Sequence, residues 1–326
     1  MRNLIQNFPK QLQESLMISR GYSLNFTREI QNVIICGLGG SGIGGEIVKS
    51  WLFNSSLVPI HVCHNYRIPY YAGENSLVIA CSYSGNTEET LHAVNEAIDS
   101  NTMVVGISSG GMLENLLNES GDTFVRIPGG LPPRSALAYP LIQLLEVFDQ
   151  SGVLKEPVKD HVAKAANLLI SSQSEIIQSA RSLMEIARGN NILFYAEEGF
   201  RPVVIRGCQQ INENSKELAF YNVIPELNHN EIVGWAKKPS NLFTVFVRND
   251  FEFSKNSKRL DLTEMIVRSK SSDVSKFHAV GKNPIEQALY TIHFLDWLSL
   301  LIAEDKGIDV VEVDVIDRLK MELGKN

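Results

Sequence analysis

A buried strand that runs straight into a hydroxyl-rich turn and then a helix leaves a chain few folds to choose from. Residues 77–91, LVIACSYSGNTEETL, have this form. Leu77-Val78-Ile79-Ala80-Cys81 is apolar at every position, which marks a strand covered on both faces in a parallel sheet. Ser82-Tyr83-Ser84-Gly85-Asn86-Thr87 supplies hydroxyl, amide and glycine residues for a turn. Glu88-Glu89-Thr90-Leu91 opens a helix that reads on through Ala93, Val94, Ala97 and Ile98. Thr87 is a favourable N-cap, and both glutamates stand in the first turn, where the helix dipole favours negative charge. Free backbone N–H groups, hydroxyls and a positive dipole end converge here, a combination that binds phosphate. The turn lacks the lysine of a P-loop, so the expected ligand is a small phosphate monoester rather than a metal-bound nucleoside triphosphate.

The rest of the chain repeats the pattern. Residues 1–30 read as a packing helix and a short connection. Apolar strands at 32–36, 59–63, 77–81, 103–107 and 123–127 alternate with helices, which specifies a doubly wound parallel sheet. Its crossovers place the loops after the strands on one edge, so the Gly39 and Ser82 regions face one crevice. Pro132 and Pro133 then forbid a helix, and Arg134 comes just before one spanning residues 136–148. Ser151-Gly152 ends the first half. The expected domains are 1–152, carrying the phosphate loop, and 153–326, ending in a tail helix. In the second half, residues 156–188 read as two helices, 191–195 as a new buried strand and 201–214 as its helix. Strands follow at 242–247 and 274–280, then an apolar helix at 284–303 and the tail helix at 315–323. The shared grammar points to an internal pseudo-repeat. The second-half loop Ala196-Glu197-Glu198-Gly199 is acidic and has lost the hydroxyls, so it is not expected to bind phosphate.

Composition removes several function classes. A net charge of −7 over 326 residues argues against nucleic-acid binding, which needs a basic face. No apolar run approaches the roughly 18 residues of a membrane span. The amphipathic N-terminus is too polar for a secretory signal. Cys36, Cys63, Cys81 and Cys208 form no CxxC pair and read as buried free thiols in a reducing cytoplasm. Gly37-x-Gly39-x-x-Gly42 matches a dinucleotide fingerprint, but no acidic residue follows at the end of the second strand, where about 20 positions on one would hold the ribose. The alternatives are a tight turn with close helix packing, or a backbone that lets a sugar approach with Ser41 as hydrogen-bonding group. His61-x-Cys63-His64 has no further ligand at suitable spacing, and packing is its expected use rather than a metal. Arg134 reads equally as a surface arginine or a positioned cation. Glu213, near a helix end, and His229, in a loop flanked by amides, read alone as solvated or structural groups.

Taken together, these stretches carry a resemblance. The run from Cys81 to Thr90 is similar to the serine/threonine-rich phosphate loop of sugar isomerase (SIS) domains. With Gly37-Leu38-Gly39-Gly40-Ser41-Gly42, Pro132-Pro133-Arg134, Asn212-Glu213-Asn214 and Asn228-His229-Asn230-Glu231, the chain resembles the bifunctional phosphoglucose/phosphomannose isomerases. The resemblance implies an α/β fold of two doubly wound SIS domains in tandem and a cytoplasmic homodimer, with the active site near the domain and subunit interface. It implies glucose 6-phosphate, mannose 6-phosphate and fructose 6-phosphate as substrates, and no cofactor or metal. Ser82, Ser84 and Thr87 would take the phosphate, with Gly40 and Ser41 against the sugar. Glu213 matches the catalytic base, His229 the ring-opening group reaching a neighbouring subunit's site, and Arg134 the arginine beside the reacting carbons. Lys320 is the candidate for the C-terminal active-site lysine, although the tail at Gly307-Ile308-Asp309-Val310-Val311 departs from the family pattern. A sugar-phosphate-binding SIS module without turnover would keep the serine loop but need neither Glu213 nor His229.

Overall fold

The computed structural model describes residues 1–323; positions 324–326, the end of the second expected domain, lie outside the described residues. The fold is α/β. The chain opens on α1 (Arg2–Gln6) and α2 (Phe8–Ser19), then alternates β1 (Asn32–Cys36), α3 (Gly39–Trp51), β2 (Ile60–Cys63), β3 (Ser76–Cys81), α4 (Glu88–Asp99), β4 (Met103–Ser108), α5 (Met112–Ser120) and β5 (Thr123–Arg126). A 3₁₀ turn at Pro133–Ser135 leads to α6 (Ala138–Ser151) and α7 (Lys159–Ala187). There follow β6 (Asn191–Glu197), α8 (Arg201–Gln210), a π-helical turn (Ile211–Ser215), β7 (Phe220–Ile224), β8 (Leu242–Arg248), α9 (Ser254–Arg268), β9 (Val274–His278), α10 (Pro284–Asp305) and α11 (Asp314–Leu323). None of the described helices is long and apolar enough to cross a membrane.

Contacts divide the chain into two compact units. The first comprises Gln6–Ser171 and Val280–Tyr290; the second comprises Met1–Ile5, Ser172–Ala279 and the chain from Thr291 on. In the first, a parallel sheet of order β2-β1-β3-β4-β5 forms because the apolar runs pair in register, with Ile34 opposite Val78 and Val78 opposite Val104. One face, with Ile34, Val78, Ala80 and Val104, is sealed by Ala93, Val94 and Ala97 of α4 and by Leu113 and Leu117 of α5. The glycines of α3 let that helix lie close on the sheet: a Cβ on Gly45 would stand 2.9 Å from Ile35 Cγ2. All four cysteines are buried and free.

The second unit has a parallel sheet of order β7-β6-β8-β9, the same winding as β2-β1-β3-β4. Its core gathers Leu193, Tyr195, Ile224, Phe246, Leu260 and Val267. The structure corrects the sequence reading in three places. Residues 156–188 are not two helices: α7 is a single helix of 29 residues that runs through the polar stretch SSQS, where the Ser171 hydroxyl donates back to Leu168 O at 2.9 Å and so is satisfied within the helix. Strand β7 and helix α9 were not foreseen, β7 because it is an edge strand with only Val223 and Ile224 buried. Finally, Pro133 does not exclude a helical turn but begins one, at the position where its missing N–H costs nothing.

Candidate active site

In the first unit, β3 is buried along its whole length and delivers Ser82 to the sheet edge. The Ser82 and Thr87 hydroxyls lie 2.9 Å apart, and Thr87 N donates to Ser82 Oγ at 3.4 Å. Thr87 does occupy the N-cap position of α4, yet its hydroxyl makes no cap bond and turns to Ser82 instead. Asn86 N donates to Ser84 Oγ at 3.2 Å. Ser82 is buried, Thr87 half-buried and Ser84 exposed, so the three hydroxyl residues grade from floor to rim. Gly85 sits at φ +71°, and a Cβ there would overlap the Gly110 carbonyl. Only glycine fits this turn.

The loop between β4 and α5 braces it. Ser109 N and Oγ both donate to Tyr83 O, at 3.0 and 2.7 Å, and Leu113 N donates to Gly85 O at 2.9 Å. Carbonyl oxygens that would repel an anion are thus occupied on the bracing side, which suits the turn to a negative guest. The glycine loop after β1 closes the other side. Ser41 Oγ accepts Tyr83 N at 3.2 Å, and a Cβ on Gly37 would stand 2.9 Å from Cys81 O. Gly40 packs on the arginine turn: a Cβ there would lie 3.2 Å from Pro133 O and 3.8 Å from Arg134 Cα. Arg134 itself is 6% exposed. The structure therefore brings Gly40, Ser41, Ser82, Thr87 and Arg134 into one neighbourhood. Sequence reasoning passed over the residue that links them. Tyr83 joins Ser41 through its N–H, Ser109 through its carbonyl, and Leu131 N through its hydroxyl, at 3.1 Å. Its signal was one aromatic ring among small turn residues.

Glu213 lies in the second unit, half-buried, on the π-helical turn after α8. This turn is heavily anchored. Arg206 and Gln210 of α8 both bond the buried Asp296 of α10, at 3.0 and 2.7 Å. Asn214 Nδ2 donates to Ser299 Oγ at 3.0 Å, and Ser215 Oγ donates to Ser299 O at 2.7 Å. Lys216 adopts a left-handed conformation, φ +54°, and its Nζ donates to Glu213 O at 2.7 Å and Glu312 O at 2.6 Å. Single π-helical turns are frequent at functional sites. The lysine at the Glu213 turn is thus Lys216, while Lys320 lies exposed on α11. No sign of this lysine at the Glu213 turn was legible in the sequence, since nothing there separates Lys216 from other surface lysines.

His229 is exposed at the end of a 3₁₀ turn whose neighbours are all tied down. Asn228 donates to Thr263 Oγ1 at 2.8 Å, Asn230 donates to Glu226 at 2.8 Å, and Glu231 accepts Asn222 Nδ2 at 2.6 Å and the Tyr195 hydroxyl. Burial beside Glu231 pushes the Tyr195 phenol far up, so it stays a donor. Among the described residues no hydrogen bond holds the His229 ring itself.

The chain is 34% identical to a bifunctional phosphoglucose/phosphomannose isomerase of Caldicellulosiruptor bescii, with 98% of each chain covered. It is 34% identical to one of Thermoplasma acidophilum, with 91% of each covered. The chain belongs to the bifunctional phosphoglucose/phosphomannose isomerase family. The family model described as bacterial phospho-glucose isomerase C-terminal SIS domain matches residues 176–323. The fold agrees: the C-terminal domain of glucosamine-fructose-6-phosphate aminotransferase from Francisella tularensis superposes with a TM-score of 0.73 at 17% identity, covering 94% of this chain and 96% of that one. Membership in the isomerase family, with two parallel sheets of matching strand order, meets the expectation of tandem SIS architecture.

Proposed function

We propose that this protein interconverts glucose 6-phosphate and mannose 6-phosphate with fructose 6-phosphate. The observation that carries the reading is 34% identity over 98% of the chain to a bifunctional isomerase. The turn from Ser82 to Thr87, braced around an anion-ready centre, supports it. A binding module without turnover is disfavoured, because its relatives over the same length are named as isomerases.

The roles follow from the chemistry. The reaction moves a proton between C1 and C2 of an open-chain sugar. Ser82, Ser84 and Thr87 hold the phosphate, remote from the reacting carbons, with Gly40 and Ser41 beside the sugar. Their binding energy keeps the chain in register while the proton moves. His229 is assigned to ring opening, where an imidazole gives and takes protons near neutral pH. Glu213 is assigned as the base that takes the proton from one carbon and returns it to the other; one carboxylate suffices because the proton shuttles. The enediolate between these steps is anionic, and Arg134 is assigned to stabilise it. Turning the enediolate about C2–C3 before reprotonation exposes its other face and gives the mannose epimer. Lys320 is retained as the candidate tail lysine. We infer a homodimer in which His229 serves a neighbouring subunit; sedimentation at a dimer mass supports this and a monomer refutes it. The buried free thiols support a cytoplasmic setting.

The test is a coupled assay supplying fructose 6-phosphate and detecting glucose 6-phosphate, then mannose 6-phosphate. Turnover on both aldoses is expected. Folded protein that binds fructose 6-phosphate without turning it over refutes the isomerase reading.

A further inference from the structure

The His61-x-Cys63-His64 stretch at the end of β2 remains unused by the roles above. Its three side chains have separate fates. His61 is exposed, and Cys63 is buried with Sγ donating to Arg67 O at 2.8 Å. His64 reaches across to the glycine loop, with Nδ1 3.0 Å from Gly37 O and Nε2 3.1 Å from Glu46 Oε1 of α3. Both partners are acceptors. A neutral imidazole carries one N–H and can serve only one of them; the imidazolium serves both. We propose that His64, as an imidazolium clamped between the Gly37 carbonyl and the Glu46 carboxylate, is a positioning residue that sets the glycine loop against the serine loop and so the affinity for sugar phosphate. The proposal rests on the isomerase reading for its substrate.

The packing leaves the clamp little slack. Gly37 is wedged: a Cβ on it would stand 2.9 Å from Cys81 O, the residue before Ser82, and 3.2 Å from Gly42 N. A Cβ on Gly42 would stand 2.5 Å from Gly37 O and 2.9 Å from His64 Nδ1. Ser41, between these glycines, accepts Tyr83 N at 3.2 Å. A shift of Gly37 therefore moves Ser41 and presses on the end of β3, the two supports of the phosphate turn. His64 touches neither phosphate nor sugar in this scheme.

The titratable groups facing His64 are Glu46 on α3 and Cys63 on its own strand. The Glu46 bond, aided by the Gly37 carbonyl, raises the His64 pKa against the lowering effect of burial. The clamp is therefore complete below the ordinary imidazole value of about 6.5 and is lost as pH rises through the raised value of the folded protein.

Fructose 6-phosphate affinity, measured by titration calorimetry from about pH 6 to about pH 9, and turnover in the coupled assay test this together. Wild-type protein is expected to bind more weakly as pH rises, with kcat following its own profile. His64→Ala should weaken binding by about threefold to tenfold at the acid end and flatten the pH dependence. Glu46→Gln keeps an acceptor for Nε2 without the charge, so acid-end affinity should hold while the inflection moves to lower pH. A role in folding alone would lower Tm without moving the inflection. Affinity and inflection unchanged in Glu46→Gln, or in a folded His64→Ala, overturn the proposal. Intact binding without turnover in wild-type protein overturns the isomerase reading instead.

Discussion

Strands β3 and β8 occupy corresponding places, each third across its sheet in the orders β2-β1-β3-β4-β5 and β7-β6-β8-β9. The turns that follow them use opposite chemistry. After β3 come hydroxyls and a glycine, with Asn86 N and Thr87 N donating to the Ser84 and Ser82 hydroxyls and no carboxylate among their partners. After β8, Arg248 is forked onto Glu252 at 2.8 Å and onto Asp261 at 2.5 Å, while Glu252 also accepts Asn249 N at 3.0 Å. The second turn is filled by its own carboxylate. Winding order also shows that the acidic stretch 196–199 is the counterpart of the glycine loop, not of the serine loop. There Glu197 accepts Gly199 N at 2.7 Å and Asn256 Nδ2 at 3.0 Å, and Glu198 pairs with Arg201. On the proposed roles, one scaffold supports an anion anchor in one unit and two self-satisfied turns in the other, and the second unit's part in the reaction is assigned to Glu213 and His229.

The sharpest break of this division is Glu213→Gln. If the second unit supplies the base, C2 proton exchange should fall by about 10²- to 10⁴-fold, with fructose 6-phosphate affinity within about twofold of wild type. Full exchange activity in that variant would take the base elsewhere. Next is Arg248→Met. The Glu252 side chain is 3% exposed, so removing its partner strands a buried carboxylate. A loss of about 3 kcal/mol in urea unfolding is expected, with KM unchanged for the folded protein. A KM that rises with unchanged stability would mean that this turn binds ligand after all.

The sheets were legible in the sequence because strands buried on both faces are apolar at every position, as at 33–36 and 77–81. The serine loop was legible because a run of hydroxyl, amide and glycine residues between an apolar strand and a helix stands out locally. What stayed hidden depends on partners far along the chain. The π turn that aims Glu213 is fixed by Ser299 and Asp296, more than eighty residues away. Lys216 is distinguished only by its left-handed backbone and two carbonyl partners. Strand β7 starts at exposed Phe220 on a sheet edge, where no alternation develops.

Importing the acidic chemistry into the serine loop tests whether charge alone separates the two turns. Ser84 is exposed and its replacement does not disturb the core. Ser84→Glu should raise KM for fructose 6-phosphate about a hundredfold through repulsion of the phosphate, with Tm within a few degrees of wild type. Unchanged KM would place the phosphate elsewhere.

The smallest expected effect is the most specific. Ser82 Oγ is the floor of the turn and is satisfied by Thr87 alone among the described residues, through its hydroxyl and its N–H. Neither bond crosses to another element, so Ser82→Ala gives up local order and one phosphate donor but no packing. A hydrogen bond to a charged guest is worth about 1.5–3 kcal/mol, part of which water restores, so kcat/KM should fall about tenfold. Inhibition by inorganic phosphate should weaken by the same factor, because that ion engages the anchor without the reacting carbons. If kcat/KM falls while phosphate inhibition stands, Ser82 acts on the sugar and not on its phosphate, and the anchor must be drawn around Ser84 and Thr87 instead.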